Sequence, residues 1–189
     1  MDRVGKRVAR RGRGLPHLLL FSDPSRTPDL RALAKRTPRG AALVYRGYGE
    51  LGSEAVARRL KGLLQARGAY LVVGGDWRLA VKVGAAGVHL PQALAHLAPR
   101  LRGRFKIVTA AAHSLSAARV KGPHAVVVST VFASLSPSAS KPMGPIRLAM
   151  LVRSARRPIY ALGGVANATA GRLLQTGVIG LAGIDGFKT

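Results

Sequence analysis

The sequence predicts one compact α/β domain built as a closed (β/α)8 barrel, the TIM-barrel architecture. Three observations lead there. Short apolar runs recur about eight times, helix-like stretches separate them, and the first turn lacks the glycine-rich string of an open nucleotide-binding sheet. The runs are Leu18–Phe21, Ala41–Tyr45, Tyr70–Val73, Gly87–Leu90, Lys106–Ala110, Ala125–Ser129, Ile159–Leu162 and Val178–Ala182. They are rich in Val, Leu and Ile without strict alternation, as parallel strands covered on both faces are.

The connecting segments follow in order. The first run ends in Ser22-Asp23-Pro24, and Thr27-Pro28-Asp29 then signals a helix start before Leu30, Leu33 and Ala34. Ser53-Glu54 opens a second helix through Val56, Leu60, Leu63 and Leu64, with Gly68 just past its end. Trp77–Val83, Ala93–Leu101 and Ser114–Val120 are shorter helical stretches. Pro145 begins another, carrying Leu148, Leu151 and Val152 and closing before Pro158; Asn167 to Gly177, with Leu173 and Leu174, is the last. The 189 residues lie near the lower limit for eight units, and no linker or composition shift divides them. The expected organisation is therefore a basic N-terminal arm over 1–14 and the barrel over 15–189.

Composition removes several function classes. The absence of cysteine excludes disulfides, thiolate catalysis and sulfur-based zinc sites. No stretch approaches the roughly 20 apolar residues of a membrane span, and Leu18–Phe21 is too short for a signal-peptide core of about 7–15 residues. A soluble, cytoplasmic protein with no membrane partner is expected. Lys and Arg total 31 against 7 Asp and Glu, a net charge of +24, and such a field draws anions of every kind. Only Met1–Gly14 is a true basic cluster, with Arg3, Lys6, Arg7, Arg10, Arg11 and Arg13. Aromatics are 5% and do not alternate with basic residues, so a nucleic-acid partner is not expected. The reading is of solvated arginine-rich helix faces and a flexible arm.

Several strand ends carry a family's strings. Gly84-Ala85-Ala86-Gly87-Val88-His89-Leu90-Pro91-Gln92 resembles the "GADGVHLGQ" of the thiamine phosphate synthase/TenI family. Ile159-Tyr160-Ala161-Leu162-Gly163-Gly164-Val165 resembles its "VxAIGGI", followed as there by Asn167 at a helix start. Leu18–Asp23 resembles its "LYLITD", and Lys141 sits where the family has a "TPTK" loop. These anchors run in order from about residue 17 to the end. The departures are as specific. The family's Gln-x-Arg-x-Lys string after strand two reads Val44-Tyr45-Arg46-Gly47-Tyr48, leaving Arg46 alone. Its magnesium carboxylates fall on Gly75 and Leu94, and the Ser of its "STH" string on Ala111. Magnesium takes oxygen ligands, carboxylates among them, so no metal site is expected; Asp76, one residue from Gly75, is the substitute to weigh.

The resemblance implies a TenI-like protein of thiamine biosynthesis. It would bind a small phosphorylated thiazole and tautomerise it without metal or other cofactor. His113 would be the catalytic proton carrier, a role imidazole suits near neutral pH; helix capping is the plain alternative. Gly163, Gly164, Gly183 and Ile184 would form the phosphate cradle after strands seven and eight, although tight turns alone also call for glycine. Lys141 would close over the anion and Arg46 would hold a carboxylate, with Tyr45 and Tyr48 narrowing the pocket. Asp185, where the family has a small Ser, would repel a phosphate unless it turns away or pairs with a cation. Two alternatives stand beside this reading. One is a thiamine phosphate synthase with an altered magnesium site, the one case in which magnesium would be a cofactor. The other is a non-catalytic ligand-binding barrel. A homodimer is among the assemblies the sequence allows.

Overall fold

The computed structural model describes residues 2–8, 14–47, 49–134 and 141–184. Eight strands close a parallel barrel in chain order: β1 (Leu18–Phe21), β2 (Ala42–Tyr45), β3 (Tyr70–Gly74), β4 (Gly87–Leu90), β5 (Ile107–Ala112), β6 (Ala125–Val128), β7 (Ile159–Ala161) and β8 (Gly180–Gly183). Closure is made by β1 on β8, with Leu18 opposite Leu181 and Leu20 opposite Gly183. The helices are α1 (Asp2–Val8), α2 (Leu30–Arg36), α3 (Ser53–Gln65), α4 (Trp77–Val83), α5 (Ala98–Leu101), α6 (Leu115–Ala118), α7 (Gly144–Ala155) and α8 (Asn167–Ala170).

Both strand faces are apolar because each has its own core. Leu19, Phe21, Val44, Val72, Val127 and Tyr160 fill the barrel interior. Leu18, Leu20, Leu43, Leu71 and Val73 face the helices. The interior mixes Tyr160 with small residues. A side chain on Gly180 would lie 2.4 Å from the Tyr160 ring. The phenol donates to the Pro16 carbonyl, and burial pushes its ionisation upward. Gly87 of the "GVHL" string is a packing requirement too, since a Cβ there would reach 2.0 Å from the Ile107 carbonyl oxygen.

The elements depart from expectation at their ends. β5 begins after Lys106, whose ammonium lies 4.5 Å over the Tyr70 ring, and it runs on to Ala112. The stretch expected as one helix over Ala93–Leu101 is a 3₁₀ segment, Gln92–Leu97, followed by α5, with Pro99 in the first turn of α5. Within the segment expected as a flexible arm, Asp2–Val8 is a helix seated on the amino-terminal end of the barrel. Gly5 lies against the His17 carbonyl, Val8 is buried, and Asp2 Oδ1 stands 2.6 Å from His17 Nε2. Val4, Gly5 and Val8 form a small apolar face, and Asp2 places a carboxylate at the helix N-terminus.

Candidate active site at the carboxyl mouth

The carboxyl ends of the strands surround a cavity of about 550 Å³. Its floor is Phe21, His89 and Val127; its rim includes Arg46, Gly75, Asp76, His113 and Ser129. A second cavity of about 350 Å³ adjoins it, bounded by Arg26, Ser134, Gly163, Gly164, Gly183 and Ile184. Leu162 and Ile184 line both, so the two lie side by side along these residues. The expected residues thus divide by chemistry: Arg46 and His113 border the larger chamber, and the glycines with Ile184 border the smaller. Lys141 is exposed and lines neither. Tyr48, Asp185 and residues 135–140 of the expected lid loop lie outside the described residues. Tyr45 does not narrow the pocket; the strand's alternation turns it outward into the helix-facing core, 4% exposed.

Arg46 is positioned from two loops. Its backbone N–H donates to Ser22 Oγ and its Nε to the Ser22 carbonyl at 2.6 Å, while Nη2 meets Asp23 Oδ2 at 3.0 Å. The guanidinium lies 5.9 Å from the Phe21 ring centre at the cavity wall. Asp23 also accepts from Ser25 Oγ, and Arg26 Nη2 stands 3.9 Å away. The Ser25 hydrogen bond, with Arg46 and Arg26 nearby, holds the Asp23 carboxyl below the usual carboxylate range.

His113 follows β5 directly, at the rim. Its backbone N–H donates to Gln92 Oε1 at 3.1 Å, and Nδ1 lies 3.3 Å from the Ser129 carbonyl and 3.2 Å from Ser129 Oγ. Ser129 thus holds the ring through Nδ1 in either tautomer, its carbonyl accepting and its hydroxyl able to accept or donate. The cap of α6 is supplied by Ser114, whose Oγ accepts from Ala117 N–H, so the capping alternative for His113 falls away. His89 is a different imidazole. Its Nδ1 pairs with Thr109 Oγ1 at 2.9 Å and its ring meets Phe21 edge-on at 4.9 Å. Burial, helped by the Arg46 charge, lowers its pKa to about 3, so it stands in the floor as a neutral group.

Gly163 and Gly164 have φ of 92° and 61°. A Cβ on Gly164 would lie 2.2 Å from the Ala133 carbonyl oxygen. The strand-seven loop is thereby pressed onto the loop after β6, which donates from Val131 and Phe132 N–H to Leu162 and Gly163 carbonyls. The same glycines leave bare backbone along the smaller chamber, where Arg26 is the one charged side chain among the described lining residues.

The described residues do not fit magnesium. Asp76 Oδ1 accepts from Leu79 N–H as the N-cap of α4, and Asp23 is held by Ser25 and Arg46. Gly75 brings no ligand, and Leu94 packs on the core. A divalent ion demands several converging oxygens in near-octahedral array, and this rim offers carboxylates already committed elsewhere.

Sequence reasoning missed Arg26, Gln92, Ser129 and the Asp23–Arg46 pair. Gln92 carried a signal, standing in the "GVHLPQ" string; the others become neighbours only through closure of the barrel.

The profile of the family described as "Thiamine monophosphate synthase" matches residues 30–187. The "Thiamine-phosphate synthase" of Thioalkalivibrio sulfidiphilus is 32% identical over 197 residues, covering 98% of this chain and 90% of that protein. The "Putative thiamine-phosphate synthase 2" of Aquifex aeolicus is 27% identical, covering 92% of this chain and 98% of that protein. Among solved structures, a thiamine phosphate pyrophosphorylase from Pyrococcus furiosus superposes with a TM-score of 0.77 at 24% identity. It covers 93% of this chain and 87% of that one, and agrees with the barrel fold.

Proposed function

We propose that this chain, which belongs to the thiamine monophosphate synthase family, binds a phosphorylated thiazole across its two adjoining chambers and isomerises it without metal. The adjacency of the chambers supports the reading: an apolar, imidazole-rimmed space for a flat ring lies beside a glycine-walled space with one arginine, and Leu162 and Ile184 line both. The phosphate takes the smaller chamber, where Gly163, Gly164, Gly183 and Ile184 present backbone and Arg26 a guanidinium fork suited to phosphate. Arg46 takes a ring carboxylate. Lys141, outside both chambers, contributes to the overall attraction of the anion.

His113 then carries the proton. With Nδ1 directed to Ser129, Nε2 accepts a proton from one ring position, and the imidazolium returns one at another. No atom is gained or lost, and no nucleophile or electron acceptor is required. His89, kept neutral by burial, supplies a polar floor that adds no charge beside the reacting ring.

A second reading has its own support. The curated relatives are named thiamine-phosphate synthases, which favours a coupling reaction over an isomerisation. One experiment separates them. The protein is incubated in D2O with the thiazole carboxylate phosphate and EDTA, and in parallel with thiazole phosphate, pyrimidine pyrophosphate and Mg2+. Metal-independent exchange and tautomer conversion, lost in His113→Asn, support the isomerase. Magnesium-dependent pyrophosphate release with no conversion in the first tube overturns it in favour of the synthase. Binding with neither turnover leaves a non-catalytic ligand-binding barrel.

A further inference from the structure

The +24 charge is not spread evenly over the fold. Asp23, Glu50 and Asp76 stand in the loops that follow strands β1, β2 and β3, Asp29 caps α2, and Glu54 lies in the first turn of α3. All belong to the carboxyl half of the barrel, where Asp23 pairs with Arg26 and Arg46, and Glu54 with Arg58 and Lys82. The opposite end is different. The loops leading into β2, β3, β5, β6 and β7 carry Arg39, Arg67, Arg104, Lys121 and Arg157, and exposed cations such as Lys35 and Arg153 occupy the last turns of α2 and α7. Helix α1, seated on this end, adds Arg3, Lys6 and Arg7. Among the described residues the one carboxylate here is Asp2, already paired with Lys6 and His17.

We infer that the amino-terminal face of the barrel is a docking surface for the phosphate backbone of nucleic acid, read without regard to base sequence. A ring of cations without carboxylates repels itself, and a polyanion laid across it relieves that repulsion while releasing condensed counterions. Arginine dominates the ring, and its planar fork pairs with phosphate oxygens two at a time. The side chains here bond to carbonyls, as Arg102 does to Gly122 and Pro123 and Arg119 to Ser154, which fixes their direction without cancelling their charge.

The exposed large apolar residues argue against other partners. Leu51, Leu115 and Ile146 lie at the carboxyl end of the barrel, and Val81 and Met150 lie on helix flanks. The basic face therefore lacks the apolar wedge of a membrane-surface helix and the central anchor of a protein interface. At this end Phe105 is buried and the Tyr70 ring is covered by Lys106, so neither offers bases a stacking platform. The segregation is a matter of which end of the barrel each loop occupies, not of order along the chain.

The test uses the full-length protein and a labelled mixed-sequence DNA duplex of about 20 base pairs, titrated across a salt series. Binding that weakens linearly on a log–log plot is expected. The quadruple variant Lys35→Gln, Arg39→Gln, Arg104→Gln and Lys121→Gln should reduce the slope by about 3–4 and the affinity at ~0.1 M salt by at least about 100-fold. The charge-keeping set Lys35→Arg, Arg39→Lys, Arg104→Lys and Lys121→Arg should retain wild-type binding, which separates lost charge from lost fold. Removing the same number of charges elsewhere, at Arg31, Arg59, Arg78 and Arg147, should matter far less. Equal losses from both neutralised sets would overturn the assignment of the face. So would no binding at ~0.1 M salt, or tighter binding to phosphatidylserine vesicles than to the duplex.

Discussion

Acidification is a sharp probe of the cavity floor, because His89 must remain uncharged to sit there. The unfolded chain's imidazole takes up a proton below about pH 6.5, whereas the folded one, buried beside Arg46 and Phe21, does so only near pH 3. Between those values the unfolded state binds the extra proton, so stability falls as the pH falls. Each unit is worth about 1.4 kcal/mol, so from pH 6.5 to pH 4.5 the contribution is about 3 kcal/mol. Other groups titrate too, so the quantity to measure is a difference. Urea unfolding of wild type and His89→Gln is followed across the series; glutamine keeps a polar partner for Thr109 Oγ1 but does not titrate. The wild-type advantage should be constant above about pH 7 and shrink by about 3 kcal/mol at pH 4.5. Proton–nitrogen correlation spectra of the folded protein should show the His89 ring neutral at pH 5. A flat difference, or a His89 ring titrating near its ordinary value, would refute the claim that this wall of the site is held neutral by burial.

Three further changes have defined outcomes. Gly164→Ala should cost several kcal/mol, about 3 or more, because the Cβ meets the Ala133 carbonyl at 2.2 Å and φ is 61°; thermal unfolding reads it, and phosphate binding should fall with it. Tyr160→Phe should cost about 1–2 kcal/mol by leaving the buried Pro16 carbonyl without its donor, measured by urea midpoint at unchanged m. Asp23→Asn should lose about 1–2 kcal/mol at pH 7, since the carboxylate is held by Ser25 and Arg46. Its pKa is depressed in the fold, so the wild-type advantage is present above the ordinary carboxylate range and should vanish as the pH drops through the lowered value.

How much of this was legible in the chain differs by element. The strands were, because Leu18–Phe21 and Ala125–Val128 are short, wholly apolar and wholly buried, and no helix of that length satisfies its own backbone. The helix ends were less so. Nothing in Ala93–Leu101 announces the change from 3₁₀ to α turns except Pro99. The arm reading missed α1, since Val4, Gly5 and Val8 are a sparse apolar pattern among arginines. At the mouth, Arg46 and His113 could be placed from motif register, and Asp76 could have been read as an N-cap from Asp76-Trp77-Arg78-Leu79. The Asp23–Arg46 contact bridges positions 23 residues apart, and Arg26 reaches the smaller chamber from a loop with no motif of its own. Such pairings follow from adjacency of β1 with β2 and with β8, which local pattern does not encode.

Calorimetry of thiazole phosphate and its dephosphorylated alcohol, each titrated into the protein with EDTA and then with Mg2+, tests the phosphate chamber head-on. The phosphate ester should bind at least about 10-fold tighter than the alcohol, equally well in both buffers. Arg26→Gln should erase most of that preference while leaving the alcohol's affinity unchanged. Binding that appears only with Mg2+, or equal affinity for ester and alcohol, would contradict a metal-free phosphate chamber at the mouth of this barrel.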